Sequence, residues 1–186
     1  KEWFVLDLSF IGWNLLNVMT LSILSIYTFP YIYHTYIGYY QKYKEEYNTL
    51  MEMGEKVWVY SCGFPANKWM NHIIDLPLSA TRLINWMGIR YGIDGFLHYG
   101  YHEFLDYMDP MYDTNFGRIF QKEQRYFPPG NGQVVYSDGK VLYDSVRAHV
   151  HRTAAAEAEL LMALRAKDKD ACYEIIDGVC TTFEEY

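Results

Sequence analysis

Between Val57 and His102 the chain carries two short strand-like runs separated by a helix-length segment, and that spacing restricts how it can fold. Val57-Trp58-Val59-Tyr60-Ser61-Cys62 is β-branched and aromatic, and the break Gly63-Phe64-Pro65 ends it. Apolar residues then recur at helical spacing from about Leu78 to Tyr91. A second run enters through Gly92-Ile93-Asp94-Gly95 and continues Phe96-Leu97-His98-Tyr99-Gly100-Tyr101-His102. Strand, helix and strand in this order make a βαβ crossover, and such crossovers join parallel strands. Both runs end in Cys, His and Tyr rather than in aliphatic residues. In a parallel barrel the carboxyl ends of the strands are where ligand contacts collect, so this stretch is the candidate site.

Composition narrows the ligand. The 19 Tyr, 10 Phe and 5 Trp make 18% of the chain aromatic. Aromatic rings stack on the C–H faces of sugars, although they also fill cores. The net charge of −7 argues against nucleic acid, since phosphate contacts need a basic stripe. The three cysteines, Cys62, Cys172 and Cys180, lack metal-ligand spacing, and an odd count builds no disulfide framework. Cys172 and Cys180 lie eight apart on one helical face, which reads as two buried free thiols. No cofactor and no metal is expected.

The N-terminal region differs from the rest. From Leu8 to Gln41 there is no Asp, Glu, Lys or Arg, and Phe10 to Phe29 matches the roughly 20 residues that cross a bilayer. Asn14, Asn17, Thr20, Ser22, Ser25 and Thr28 make it less apolar than an ideal span. Pro30 follows, and Tyr27, Tyr31, Tyr33, Tyr36, Tyr39 and Tyr40 resemble an interfacial aromatic belt. A signal peptide is disfavoured, because the apolar stretch is too long and lacks a small-residue cleavage site. A membrane helix and a buried helix both remain open. Asp7-Leu8-Ser9-Phe10-Ile11-Gly12-Trp13, Leu21 to Ile26, Pro30-Tyr31-Ile32 and Thr35-Tyr36 together resemble the last transmembrane helix of a bacterial integral-membrane family of unknown function, family 975. Composition changes near residue 46, where Lys42 to Lys56 becomes charged and helical in period, so the chain divides into 1–46 and 47–186.

A second resemblance covers residues 50–186. Trp58 to Cys62, Asn71, Ile74-Asp75-Leu76-Pro77-Leu78, Thr81-Arg82-Leu83, Trp86, Arg90-Tyr91-Gly92 and Asp94 to Gly100 occur in order and spacing. Phe127 to Gly132, Val134-Val135-Tyr136, Ser145-Val146-Arg147 and Glu159-Leu160-Leu161 continue the pattern. These blocks resemble the C-terminal part of the catalytic domain of glycoside hydrolase family 123 and its relatives (domain of unknown function 4091). The resemblance implies an α/β fold, the C-terminal portion of a (β/α)8 TIM barrel with C-terminal helices, preceded by the single hydrophobic, transmembrane-type helix. It also implies β-N-acetylgalactosaminidase-like chemistry on N-acetylhexosaminides. There the substrate's acetamido group is the nucleophile and an adjacent Asp-Glu pair assists, an exception to the two-carboxylate scheme. No Asp-Glu dipeptide occurs in this sequence. A further departure lies at Arg152 to Leu161, where relatives carry Arg-Asp-Gly-x-Glu-Asp-Tyr-Glu-Leu-Leu. Thr153, Ala156 and Ala158 replace the Asp, the first Glu and the Tyr, leaving an Ala- and Leu-rich helix with Thr153 as a plausible N-cap. A last amphipathic helix is expected over Lys169 to Tyr186.

The expected substrate-binding set is Tyr60, Cys62, Asn71, His98, Tyr99, Tyr101 and His102, with no catalytic residue; family position favours His98 most, while the histidines equally suit interior places and the tyrosines equally suit barrel filling. His98 and His102 on one strand would stand about 13 Å apart at ~3.3 Å per residue, too far to share a metal. Which parity of each strand faces inward stays open. Asp75 is expected to cap the crossover helix with Arg82 as its salt-bridge partner. Glu103 would need a partner carboxylate to serve as an acid, with Asp106 and Asp109 nearby in sequence. His149 and His151 read as surface positions. Pro128-Pro129-Gly130-Asn131-Gly132 signals a turn in a long ligand-facing loop. Ser137-Asp138-Gly139-Lys140 reads as a hairpin between Val134–Tyr136 and Val141–Tyr143.

The sequence therefore predicts the carbohydrate-binding C-terminal part of a glycoside hydrolase, inactive alone for want of its Asp-Glu pair. The alternatives are a membrane-anchored, non-enzymatic binding or assembly protein, or a chimeric fragment without autonomous function. Expected partners are an N-acetylhexosaminide ligand, membrane contact through residues 10–40, and the missing barrel strands or a second copy at the open strand edges. The expected location is the membrane or cell envelope, or the cytoplasm if the N-terminal helix is not inserted.

Overall fold

The computed structural model describes residues 32–63, 65, 67–98, 100–102 and 128–186. Three strands form a parallel sheet in the order β1 (Ile32–Tyr36), β2 (Lys56–Tyr60) and β3 (Gly95–Leu97). Helices α1 (Ile37–Lys42) and α2 (Lys44–Glu52) connect β1 to β2. Helices α3 (Leu78–Arg82) and α4 (Ile84–Tyr91) make the crossover from β2 to β3. A two-stranded antiparallel ribbon, β4 (Tyr136–Ser137) and β5 (Leu142–Tyr143), precedes the helices α5 (Val146–Lys167) and α6 (Lys169–Asp177).

The β2–α3–α4–β3 crossover is the parallel unit that the spacing predicts. Residues Val57 and Val59 of β2 are buried while Trp58 and Tyr60 are half-buried, so alternate side chains serve different faces. Register places His34 beside Trp58 and Tyr36 beside Tyr60, and these rings meet at 5.8 and 5.7 Å. That pairing settles the parity: Val57 and Val59 enter the helix-packed core, and the aromatics of β1 and β2 line the other face. Gly95 pairs with Trp58, and a Cβ there would lie 2.7 Å from the indole. Only glycine lets the Trp58 ring lie against β3. Asp94 holds the start of β3 to β2, since its carboxylate accepts from the Val57 amide and its own amide donates to Val57.

The core joins both sides of residue 46. Ile37 and Tyr40 of α1 are fully buried with Met70, Met87, Ile176 and Phe183. The Tyr40 ring stacks on Tyr47 at 5.6 Å and meets Tyr91 and Phe183 at 5.6 and 6.2 Å. Ser145 caps α5 by accepting from the Ala148 amide, and Asp168 caps α6 by accepting from Ala171. Arg90 grips Asp177 through two bonds of 2.7 and 3.0 Å, tying α4 to α6. Beyond α6 the chain turns back: Phe183 accepts from the Met70 amide, and Lys68 pairs with Glu184 at 2.8 Å.

Several expectations are corrected. The described residues form two small sheets and no closed barrel, so the partial TIM barrel is not the architecture. No helix among them is long and apolar enough to cross a membrane. The segment Phe10 to Phe29 lies outside the described residues. Residues 32–40, expected as an aromatic belt, form β1 and the start of α1, because β-branched and aromatic residues find a partner strand in β2. The strand expected to reach His102 ends at Leu97, and His98 turns to bring its ring to the Gly100 carbonyl. Helix α5 starts at Val146 rather than Thr153, because Ser145 supplies the cap; the Thr153 hydroxyl instead donates back to His149. The last helix stops at Asp177, and residues 178–186 are not helical. Arg82 pairs with Glu157 rather than Asp75, at 2.8 Å through Nε, and Trp86 donates to the same carboxylate at 3.1 Å. Pro77, not Asp75, occupies the N-cap position of α3, and no side chain caps the helix there. The hairpin at Asp138 forms as expected, with its carboxylate accepting from the Lys140 and Val141 amides and from the Tyr143 hydroxyl, each at 2.9 Å. Cys172 and Cys180 are buried free thiols, and burial pushes Cys180 up to about 11.

Phe183 meets Tyr40 and Tyr91 while its carbonyl holds the 67–70 loop. Phe183→Ala is expected to lower stability by ~3–5 kcal/mol, measured by urea unfolding; a change under about 1 kcal/mol would show that the C-terminal segment packs without consequence.

Candidate functional site

Parallel strands end at the same edge of their sheet, so the loops after β2 and β3 emerge side by side. Asn71 shapes the loop after β2. Its side-chain oxygen accepts from the Ser61 hydroxyl at 3.1 Å and from the His72 amide at 2.8 Å. Its amide nitrogen donates to the Cys62 and Pro65 carbonyls at 2.8 and 3.0 Å, and its own carbonyl accepts from the Thr81 hydroxyl. The Asn71 amide is thus fully committed to the fold, and its consequence is to aim His72 inward.

His72 is 1% exposed and lies at the centre of a polar nest. Its ring meets the edge of His98 at 4.0 Å between centroids, Phe96 at 5.4 Å and His151 at 5.0 Å. Tyr101, 45% exposed, stands 5.5 Å from His151 at the rim. His98 Nδ1 lies 2.8 Å from the Gly100 carbonyl oxygen and 3.4 Å from the Gly100 amide nitrogen, and Asn131 bonds the same ring. Neither ring nitrogen of His72 finds a partner among the described residues, and neither does Nε2 of His151.

Arg147 closes the nest from α5. The guanidinium donates to the carbonyls of His72, Gly130 and Gln133 and to the Tyr136 hydroxyl, the Gly130 bond being 2.7 Å and the Tyr136 bond 3.1 Å. The 128–134 segment is drawn inward by these bonds and by the Ile74 amide donating to Pro129. Asn131, Gln133 and Val134 are fully buried, so this part of the expected ligand-facing loop forms an interior wall. Gly130 sits at φ +75°, and a Cβ there would lie 2.5 Å from Ile74 and 2.7 Å from Arg147. A side chain at position 130 is excluded twice, by backbone conformation and by space.

Burial governs the protonation of the nest. It holds His72 well below the usual imidazole range, with the neighbouring His98, His151 and Arg147 adding to the effect. Burial brings His98 down to about 4, against the opposing bonds from Gly100 and Asn131, and it also lowers His151, with Arg147 adding to it. At neutral pH the three rings are uncharged.

The expected site residues divide into groups. His98 and Tyr101 join the nest, and Asn71 positions it. Tyr60 and Cys62 lie on the aromatic face instead, with Tyr60 against Tyr36; burial and then Cys62 raise the Tyr60 hydroxyl. His102 is exposed, bridges to Gln133 and approaches the Val135 carbonyl at 3.2 Å. Tyr99, Glu103, Asp106 and Asp109 lie outside the described residues. No group of His, Cys, Asp and Glu among the described residues has metal-binding geometry. His149 is exposed and pairs with Asp144 at 3.1 Å, as a surface residue would. His151 is not a surface residue. Together with His72 and Arg147 it was missed from the sequence, though Arg147 and His151 are four apart and so share one face of α5.

A family model described as glycoside hydrolase 123, catalytic domain, matches residues 19–164. No curated protein matches the chain.

Two outcomes are expected from this geometry. Gly130→Ala should cost ~1–3 kcal/mol from the left-handed backbone alone, read as a lowered urea midpoint; an unchanged midpoint would mean the wall is not packed against Arg147. Between pH 6.5 and about 4 the unfolded chain binds protons that the buried rings refuse. Stability should therefore be complete above pH 6.5 and fall as pH drops toward 4, by ~3 kcal/mol from His98 at ~1.4 kcal/mol per pH unit. Urea titrations between pH 7 and 5 test this, and a flat profile would contradict it.

Proposed function

The chain belongs to the glycoside hydrolase 123 catalytic-domain family, and from that premise we propose that it is a carbohydrate-binding part of a glycoside hydrolase acting on N-acetylhexosaminides. The observation that carries this reading is the family match itself, which runs through both strand ends and the nest-forming helix. The chemistry of the nest agrees with it. Neutral imidazoles offer one donor and one acceptor each, which suits the paired donor and acceptor character of a sugar hydroxyl. Tyr101 at the rim offers a ring face for sugar C–H groups. Hydrolysis is a separate matter. The acetamido-assisted route needs a carboxylate to orient the acetamido group and an acid to protonate the leaving oxygen, and the sequence holds no Asp-Glu dipeptide to supply them. The chain is thus read as binding sugar without cleaving it alone.

The test uses the full chain with N-acetylgalactosamine, followed by imidazole proton resonances, and with 4-nitrophenyl N-acetyl-β-galactosaminide as substrate. The expected result is a saturable shift of the His98 and His151 signals and no release of nitrophenol above the blank. Turnover would overturn the reading of a non-hydrolysing chain, and unshifted His signals at saturating sugar would overturn the nest as the binding site.

A further inference from the structure

We propose that the turn at residues 181–185 is a positioning clamp for the loop after β2, so that the direction of Asn71 and His72 is set by a segment distant in the chain. The turn is built to present one residue. The Thr181 amide donates to the Glu185 carbonyl at 3.1 Å, and the Thr181 hydroxyl donates to the Glu185 carboxylate at 2.9 Å. Inside that closure the Thr182 hydroxyl accepts from the Glu184 and Glu185 amides, each at 3.1 Å. A hydroxyl that takes local amides in this way fixes the backbone around it. Phe183 is thereby held in two directions at once. Its ring is fully buried, 6.2 Å from Tyr40 and 5.7 Å from Tyr91, and its carbonyl accepts from the Met70 amide.

The loop meets the turn at two places. The Met70 amide reaches the Phe183 carbonyl at 2.9 Å, and Lys68 pairs with Glu184 at 2.8 Å. Met70 is itself fully buried, in the same core as Phe183. Among the described residues, the bond to Phe183 is the one main-chain to main-chain bond of the stretch 67–70. That stretch starts at Asn67, a non-glycine residue at φ +66°. Few residues other than glycine rest there, and such a backbone persists only where its surroundings hold it. The stretch leads into Asn71, whose side chain gathers Ser61, Cys62, Pro65 and the His72 amide. Thr81 and Arg147 hold the carbonyls of Asn71 and His72. Those bonds leave open where the chain enters Asn71 from Met70, and Phe183 supplies that. The Lys68–Glu184 pair is largely exposed and adds little; the buried bond and the buried ring make the clamp. It holds whether or not the nest takes a ligand, so it stands apart from the sugar reading.

The test is amide hydrogen exchange of the full chain, read by magnetic resonance, with Thr182→Val and Ile176→Val set beside the unaltered protein. Thr182→Val keeps the shape of the side chain and removes the acceptor, at a position outside both the loop and the nest. Ile176→Val thins the core that holds Phe183 while leaving the bonds of the turn in place. Thr182→Val is expected to speed exchange of the Met70 and His72 amides about tenfold relative to the β2 amides. The His72 ring signals should move with it. Ile176→Val should favour no amide over another. Phe183→Leu, which keeps the carbonyl and a large apolar side chain, should stay close to the unaltered pattern, and Phe183→Ala should exceed Thr182→Val. Faster exchange at Glu184 and Glu185 with Met70 and His72 unchanged would overturn the clamp, because the turn would have opened without the loop. Equal acceleration of every amide by Thr182→Val would mark a general loss of stability and overturn it as well. Where Thr182→Val leaves the Glu184 and Glu185 amides protected, Phe183→Ala decides, and an unmoved His72 signal there counts against the clamp.

Discussion

Arg147 donates from its two terminal nitrogens to four oxygen acceptors, and three of them are main-chain carbonyls of the loops that make the site. Among the described residues it meets carbonyl and hydroxyl dipoles, which offset part of the several kcal/mol that burying a guanidinium costs. That demand organises the surroundings. The carbonyls of His72, Gly130 and Gln133 must all turn toward one point, which pins the loop after β2 to the 128–134 wall and both to α5. Gly130 takes a left-handed backbone because the guanidinium and Ile74 occupy the space of a Cβ. Removing Arg147 would strand three buried carbonyls together, which is why the site and the local fold cannot be separated there.

A second centre of order lies in the hydrophobic core. Tyr40, Tyr47, Tyr91 and Phe183 form an aromatic knot drawn from α1, α2, α4 and the C-terminal segment. These pieces are far apart in sequence, and the knot closes only when all four elements have arrived. The C-terminal segment in turn bonds Met70, one residue before Asn71, whose amide sets the direction of His72. Packing in the core and polar geometry in the nest are thus linked through three consecutive residues, Met70, Asn71 and His72.

The nest, as described, is built of neutral rings around one buried guanidinium. Its rings are neutral at physiological pH, its arginine is spent on carbonyls, and among the described residues no acid stands beside them. Glycosidic bond cleavage asks for a proton donor at the leaving oxygen and a base or nucleophile opposite. What the described residues of the nest supply is neutral rings and a guanidinium bonded to carbonyls. The chain belongs to a glycoside hydrolase family, and its sequence holds no Asp-Glu dipeptide.

Local chemistry was legible from the residues alone wherever neighbours in sequence decide the outcome. The β-branched and aromatic run at Val57, the crossover of helical period, the Asp138 hairpin and the buried face carrying Cys172 and Cys180 all follow from short-range propensity and periodicity. The family resemblance, carried by ordered blocks, named the glycoside hydrolase relation that the family match shows. Closure of a barrel did not follow, because closure depends on how many strands meet and at what stagger, and no local pattern encodes that. The start of α5 was misplaced because Ser145 and Thr153 are both competent caps, and only packing of Arg147 and Ala154 into the interior chooses between them. Likewise His72 and His151, 79 positions apart in the numbering of the chain, show no pattern that links them. Sequence determined which segments could be strand, helix or turn, because those preferences are local. Tertiary structure alone decided that three imidazoles and one guanidinium share a buried nest, because contacts between distant segments exist only once the chain has folded.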